Sequence, residues 1–210
     1  MRLYHFPLSS NARCAVMTAL HLAPLLPRPV ELAEVDLSQG AQRAPGFLRL
    51  NPNGKVPVLV DGDFVLSESC AIMQYLAEIA PGQALWPAEP RARADVNRWM
   101  FWCANEFSPQ VGILNFENWI KAMMGAGSPD AARVARAEAD LRTHAAVLDT
   151  HLAKRTWISG EQLTLADLTL AAHLMSIGKA RLPLTDLPHL MAWWTRVREL
   201  PVWQRTEPEL

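Results

Sequence analysis

Two different spacings of apolar residues divide the chain into a mixed first part and a helical second part. Short apolar runs with partial alternation predict strands at residues 3–6 and 30–37. Between them, apolar residues recur at a helical spacing over residues 11–22. The pattern therefore predicts that the chain begins with a βαβ unit.

A hairpin and a closing helix complete the first part. Apolar runs at residues 56–60 and 64–66 flank Asp61-Gly62-Asp63, as two strands joined by a tight turn would. Apolar positions along one helix face then follow over residues 71–79. We expect an α/β layer over residues 1–80.

The composition changes between residues 81 and 90, where Pro, Gly and Ala surround Trp86, and this is typical of a linker. After it the pattern predicts helices alone, at residues 91–124 with a break near Pro109, and then at 130–154, 165–177 and 188–200. The sequence thus predicts two domains, residues 1–80 and an all-helical domain over residues 91–210, joined by residues 81–90.

One short motif in the helical part predicts a helix start. Thr164 is followed three residues later by Asp167, which is the spacing of a capping box. In that arrangement the hydroxyl and the acid each satisfy a backbone N–H at the helix start. We interpret the pair as structural.

Composition narrows the classes of function. Twenty basic and twenty-one acidic residues give a net charge of −1, so a broad basic surface for nucleic acid or anionic lipid is not expected. The sequence holds no apolar run near the roughly 20 residues of a membrane span and no secretory signal at its start. The three cysteines are odd in number and widely spaced, which disfavours structural disulfides. We expect a globular protein of the cytoplasm.

The most specific passage is Asn51-Pro-Asn-Gly-Lys-Val-Pro-Val-Leu59, because it sets a proline inside a predicted strand. Proline has no N–H to donate to a sheet, so Pro57 needs a local reason. A cis Val56-Pro57 peptide bond is that reason, and it would leave the backbone N–H and C=O of Val56 free for an extended peptide ligand.

A second passage supplies groups for the charged ends of such a ligand. Ser67-Glu68-Ser69 lies where the chain enters the predicted helix at 71–79. Backbone N–H groups and the dipole at a helix start hold a carboxylate, and the Ser69 hydroxyl adds a further bond. Glu68 can accept an ammonium group. The two passages together fit a small peptide with free α-amino and α-carboxyl groups.

At these residues the sequence resembles the glutathione transferase family, specifically its serine-type bacterial members, and the resemblance covers nearly the whole chain. It implies a thioredoxin-like N-terminal domain followed by an all-α C-terminal domain. It also implies that Val56 and Pro57 hold the cysteinyl backbone of glutathione and that Glu68 and Ser69 hold its γ-glutamyl head. Glutathione would then be a co-substrate, and a homodimer is expected by resemblance.

The resemblance directs the chemistry to the start of the first helix. The thiolate is the reactive form of glutathione, and a hydroxyl that donates to its sulfur stabilises it. Comparison with serine-type members gives Ser9 this role, while Ser10 and Asn11 remain alternatives. One of the three residues is also expected to cap the helix.

Other contacts follow from the resemblance. Lys55 and Gln42 would reach the glycine carboxylate of glutathione, although Lys55 is equally interpreted as a solvated loop residue. The family often has histidine at the position of Gln42. The hydrophobic substrate would lie against one or two members of an aromatic stretch, whose other members belong to the core: Trp99, Trp102, Phe107, Phe116 and Trp119.

The sequence leaves three functions open. The favoured one is a detoxifying transferase that directs glutathione at a hydrophobic electrophile, whose identity the sequence does not give. The second is a non-catalytic glutathione-binding or interaction module of the same fold. The third is glutathione-dependent peroxide reduction, isomerisation or disulfide exchange, the last favouring Cys14. His144 and His151 lack the neighbours of a metal site, and no metal is expected.

Overall fold

The computed structural model describes residues 1–208 of the 210-residue chain. The described residues form two compact units. The first unit comprises Met1–Pro87 together with residues 200–208, and the second comprises Ala88–Glu199. The final segment therefore packs with the first unit, whereas the sequence analysis included it in the helical domain.

A four-stranded mixed sheet forms the centre of the first unit. Its strands are β1 Arg2–His5, β2 Glu31–Glu34, β3 Val58–Asp61 and β4 Phe64–Ser67. They lie in the order β2-β1-β3-β4, with β1 parallel to β2 and antiparallel to β3, which is antiparallel to β4. The βαβ start and the hairpin are thus both present.

Ten α-helices are described in residues 1–208. They are α1 Ser10–Leu22, α2 Pro45–Leu50, α3 Ser69–Glu78, α4 Pro90–Trp102, α5 Ser108–Asn115, α6 Lys121–Met123, α7 Ala131–Leu152, α8 Leu165–Ala172, α9 Pro188–Arg198 and α10 Pro201–Arg205. Within these residues no helix has both the length and the apolar character needed to cross a membrane.

One expectation about the first unit needs correction. Pro57 does not lie inside a strand, because β3 begins one residue later at Val58, opposite Tyr4. The ladder begins there because proline has no N–H to donate. Before β3, a 3₁₀ turn at Ala41–Arg43 contains Gln42 and is followed by α2.

The first unit is closed by its last helix. α1 is buried along most of its length and packs against α3 and α10. The Arg13 side chain of α1 donates from Nε to Thr206 Oγ1 at 3.2 Å and from Nη2 to the Trp203 carbonyl at 3.0 Å. Its guanidinium carbon lies 3.8 Å from the centroid of the Trp203 ring. A charged side chain thereby fixes the C-terminal segment to the first helix.

Helices are the only regular elements of the second unit, Ala88–Glu199, and they are joined by turns and loops. The helix predicted at residues 91–124 is present with two π-helical turns, Cys103–Phe107 and Phe116–Ile120, and the first ends two residues before Pro109. A proline removes a helical hydrogen bond and crowds the preceding turn, which accounts for the widening at this point. The predicted helix at 165–177 is shorter, since α8 ends at Ala172 and residues 173–180 form tighter turns.

The start of α8 is a heavily hydrogen-bonded buried site of the second unit. The Asp167 carboxylate is fully buried and accepts from the Thr164 N–H at 2.9 Å, which forms the predicted capping box. It also accepts from the Thr164 hydroxyl, the Ile158 N–H and Trp193 Nε1, at 3.0, 2.9 and 2.9 Å. One carboxylate therefore joins α8, α9 and the segment before them.

Candidate functional site

A short turn builds the first wall of the candidate site. The buried Asn51 side chain donates from Nδ2 to the Lys55 carbonyl at 2.8 Å and accepts from the Asn53 N–H at 3.1 Å. Gly54 has a φ of +60°, and a Cβ there would lie 3.2 Å from the Gln42 carbonyl oxygen, so glycine is favoured at this position. Asn51 thus fixes the backbone that leads into Val56.

The Val56-Pro57 peptide bond is cis. Val56 itself is buried and lies outside the registers of both pairings of β3. No hydrogen bond joins its backbone to another residue within 1–208. Its N–H and C=O therefore remain as polar groups for a ligand.

The opposite wall is the start of α3. Glu68 precedes the helix with a φ of +72°, a conformation that is rare outside glycine, and its side chain does not cap the helix. Ser69 is the first helical residue and is buried, and no acidic residue lies in the first turn. The positive end of the helix dipole is therefore left for a ligand. Backbone strain of this kind concentrates at functional sites.

These walls enclose a cavity of about 130 Å³. It is lined by Asn11, Asn51, Lys55, Val56, Pro57, Glu68 and Ser69. Lys55 brings a positive charge, Glu68 a negative charge and Val56 an unpaired stretch of backbone. The cavity can therefore receive a short peptide that carries both an ammonium and a carboxylate group.

The three candidates for thiol activation differ in their surroundings. Ser9 is the N-cap of α1, and its Oγ accepts from the Ala12 N–H at 3.2 Å. The Ser10 carbonyl accepts from the Cys14 thiol at 3.1 Å. Asn11 is exposed and is the one of the three that lines the described cavity. Because the Ser9 oxygen is used as an acceptor, its hydroxyl hydrogen remains available to donate.

Gln42 and Cys14 stand apart from the cavity lining. Gln42 lies in the 3₁₀ turn, and its Oε1 is buried without a hydrogen-bond partner among residues 1–208. Cys14 is fully buried, and burial raises the pKa of its thiol. A buried thiol with a raised pKa carries little thiolate at neutral pH, so it is poorly suited to attack a disulfide.

The aromatic candidates of the second unit fall into two groups. Trp99 and Phe107 are buried, with 2% and 0% of their surfaces exposed, and serve the core. Trp102 is half-buried and packs between them, with ring centroids 5.2 Å from Trp99 and 5.8 Å from Phe107. Phe116 is exposed and Trp119 half-buried. Only the last three retain surface with which to meet a ligand.

Sequence reasoning missed Asn51 as a site residue. Its signal was present in Asn51-Pro-Asn-Gly54, because asparagine side chains often bond to the backbone two to four residues ahead in turns. Within residues 1–208, no group of three or more His, Cys, Asp or Glu side chains is arranged so that it could hold a metal ion.

Each unit contains a match to a domain model, and the two models belong to one family. Residues 1–78 match the model of the glutathione S-transferase N-terminal domain, and residues 110–201 match that of the C-terminal domain. A protein of Zea mays named Glutathione S-transferase 3 is 37% identical over 212 residues, which cover 98% of this chain and 92% of the relative. The fold is thus a thioredoxin-like unit followed by an all-helical unit, as predicted. The chain belongs to the glutathione S-transferase family.

The chain is also similar to a solved structure with a bound ligand and to a relative whose name does not describe a transferase. A solved structure of glutathione S-transferase-I bound with lactoylglutathione has a TM-score of 0.83 and 29% identity, covering 98% of this chain and 97% of that one. A protein of Caulobacter vibrioides (strain NA1000 / CB15N), named FtsZ-localized protein A, is 30% identical over 207 residues, with 95% of this chain and 87% of the relative covered. Proteins with different names are therefore similar to this chain over most of its length.

Proposed function

We propose that this member of the glutathione S-transferase family is an enzyme that activates the thiol of glutathione for attack on a hydrophobic electrophile. The observation that carries the proposal is the cavity in which Val56, Glu68 and Ser69 face the start of α1. A tripeptide thiol offers a backbone, an ammonium and carboxylates, which are the groups that this lining complements.

Each of the three residues of glutathione would have its own contacts in the site. The backbone of Val56 pairs with the cysteinyl residue of glutathione. Glu68 and the start of α3 at Ser69 hold the γ-glutamyl ammonium and carboxylate. Lys55, and Gln42 beyond the cavity lining, attract the glycine carboxylate.

Thiol activation is assigned to Ser9. A free thiol has a pKa of about 8.5, so only a few per cent is thiolate at neutral pH. A depression of about two units requires about 2.7 kcal/mol of preferential stabilisation of the thiolate. A hydrogen bond from a hydroxyl at the start of α1, together with the helix dipole, gives the thiolate a stabilisation of this magnitude. Ser9 would act as a hydrogen-bond donor and not as a nucleophile.

Asn11 is the second candidate, because it lines the cavity directly. Its side-chain amide can also donate to a thiolate. Ser10 is the weakest of the three, since it neither caps α1 nor lines the described cavity.

Substitution at these residues tests the assignment. Ser9→Gly removes the hydroxyl and costs only a few tenths of a kcal/mol as a cap. We expect it to keep glutathione binding, measured by calorimetry, and to lose most turnover with a generic aryl halide. The apparent pKa of the pH–rate profile should also rise by about two units.

Ser9→Thr is the matched control, because it restores a hydroxyl at the same cap, and we expect activity to return. Normal turnover in Ser9→Gly together with loss in Asn11→Ala would transfer the role to Asn11. Absence of glutathione binding in the unchanged protein would refute the proposal altogether.

A non-catalytic module is the other function with a specific observation in its favour. FtsZ-localized protein A, whose name describes a location and not a reaction, is a relative over 95% of this chain. Retention on immobilised glutathione without conjugation of any tested electrophile would favour that function. Disulfide exchange through Cys14 is disfavoured by the burial of its thiol.

The remaining features of the proposal concern the second substrate and the cellular context. We assign the hydrophobic substrate to the aromatic side chains with free surface, Trp102, Phe116 and Trp119. We also assign this enzyme to detoxification in the cytoplasm. The cytoplasmic location is supported by the three cysteines, none of which is in a disulfide within residues 1–208, as is usual in a reducing compartment. A homodimer is supported by exposed apolar side chains on β4, Phe64 and Val65, at 44% and 40%.

A further inference from the structure

A second cavity of about 210 Å³ lies in the first unit, away from the candidate glutathione site. Its lining comes from β1 and the loop after it, from β2, from α1 and from the segment 205–208, and it shares no residue with the cavity described above. Much of it is apolar, including Phe6, Val16 and Leu20. One buried cation, Arg13, lies among these groups.

The hydrogen bonding of Arg13 is incomplete. Nε and Nη2 are satisfied by Thr206 and Trp203, but Nη1 is buried and has no partner within residues 1–208. Only 3% of the residue's surface is exposed, and the one carboxylate of the described residues that acts on the guanidinium, Glu207, does so through space without a described hydrogen bond. Burial lowers the pKa of the guanidinium to about 10, which leaves it charged at neutral pH. A buried N–H donor without an acceptor is an unfavourable state that a bound anion would relieve.

The other residues of the lining determine which charge and which size of apolar group the bound anion should have. Arg205 adds a second positive charge at the surface, and Glu207 adds a negative one. With Arg13 these leave one net positive charge, which suits a single negative charge and disfavours a phosphate dianion. The apolar side chains suit a hydrocarbon or aryl body.

We propose that this cavity is a second ligand site, which takes a small apolar monocarboxylate with its carboxylate on Arg13. Glu207 is the internal competitor for the same guanidinium. The site is independent of the proposed transferase activity, because none of its residues takes part in thiol activation or glutathione binding.

Calorimetric titration with benzoate, in the presence of saturating glutathione, tests the proposal. We expect a dissociation constant of about 1 mM or tighter. The Glu207→Gln variant should bind benzoate several-fold more tightly, because the competing charge is gone. The matched control Asp63→Asn makes the same change in net charge in an exposed turn and should leave the affinity unchanged. Benzyl alcohol, the neutral analogue, should not bind.

Arg13→Met keeps an unbranched apolar stem against Trp203 and should lower benzoate affinity at least tenfold. If that variant does not fold, Glu207→Gln and its control decide the question. Equal binding of benzyl alcohol, displacement of benzoate by glutathione, or equal benzoate affinity in Glu207→Gln and Asp63→Asn would each overturn the proposal.

Discussion

Asn51 shows how a single side chain can position the backbone of a binding site through hydrogen bonds within a turn. Its amide bonds at once to the Lys55 carbonyl and the Asn53 N–H, and this holds the turn from which Val56 emerges. The side chain is almost fully buried, so loss of either bond leaves a polar backbone group without compensation.

We predict that Asn51→Ala weakens glutathione binding about tenfold, which corresponds to about 1.4 kcal/mol. It should also lower the free energy of unfolding by about 1–2 kcal/mol, since two hydrogen bonds are lost. Calorimetry and urea denaturation measure the two effects. Asn53→Ala, in the same turn but with an exposed side chain, is the control and should bind normally.

His173 gives a residue-scale prediction about pH. The side chain is buried, and burial lowers its pKa from an ordinary 6.5 to about 4. Below pH 6.5 the unfolded chain binds a proton that the folded protein does not, so stability falls as the pH falls from 6.5 towards 4. The full effect is about 3 kcal/mol.

The His173→Leu variant should therefore show a flatter dependence of the unfolding free energy on pH between 6.5 and 4. His189→Gln changes an exposed histidine and should retain the dependence of the unchanged protein. Parallel pH curves for the unchanged protein and His173→Leu would contradict the argument.

At the scale of elements, the start of α8 differs from an ordinary helix start because its acid is shared. The Asp167 carboxylate accepts four hydrogen bonds from three parts of the second unit and is fully buried. Asp130 at the start of α7 accepts two backbone N–H groups at an exposed position.

We predict that Asp167→Ala lowers the free energy of unfolding by about 3 kcal/mol or more, because several buried donors lose their acceptor. Asp130→Ala should cost about 1 kcal/mol, the usual effect of a lost cap. Thermal or urea denaturation of the two variants provides the comparison. Equal losses would show that burial adds nothing to the Asp167 site.

The helices and strands also show which structural features could be predicted from the sequence alone. The strands, the hairpin and the helix around Ser69 follow from apolar spacing, and the capping box from two residues three apart. A break near Pro109 was predicted, but the π-helical form of the turns at 103–107 and 116–120 and the early end of α8 were not, because they depend on tertiary packing that no local spacing records. Asn51 was missed as a site residue because its role lies in bonds to a turn and not in its own chemistry.

At the scale of the whole molecule, the exposed apolar side chains bear on assembly. β4 is an edge strand, and Phe64 and Val65 on it are 44% and 40% exposed. Edge strands with exposed apolar residues are favoured sites of association. A second copy of the chain is the partner that we propose for this edge.

Light scattering should accordingly give a mass of about twice the 23.4 kDa of one chain. We predict that Phe64→Glu shifts the protein towards the monomer, since it introduces a charge at the proposed contact. Val147→Glu alters a comparably exposed apolar residue on α7 and should leave the mass unchanged. A monomeric mass for the unchanged protein would remove the basis of this prediction.

The bond between Arg13 and Trp203 joins residues 190 positions apart. During synthesis α1 leaves the ribosome early, yet the helix that covers its guanidinium is translated only after the entire second unit. The part of the protein that is made first therefore obtains its last packing partner at the end of translation. Until then a nascent chain carries an incompletely covered α1, which is a stage at which chaperones would be expected to recognise it.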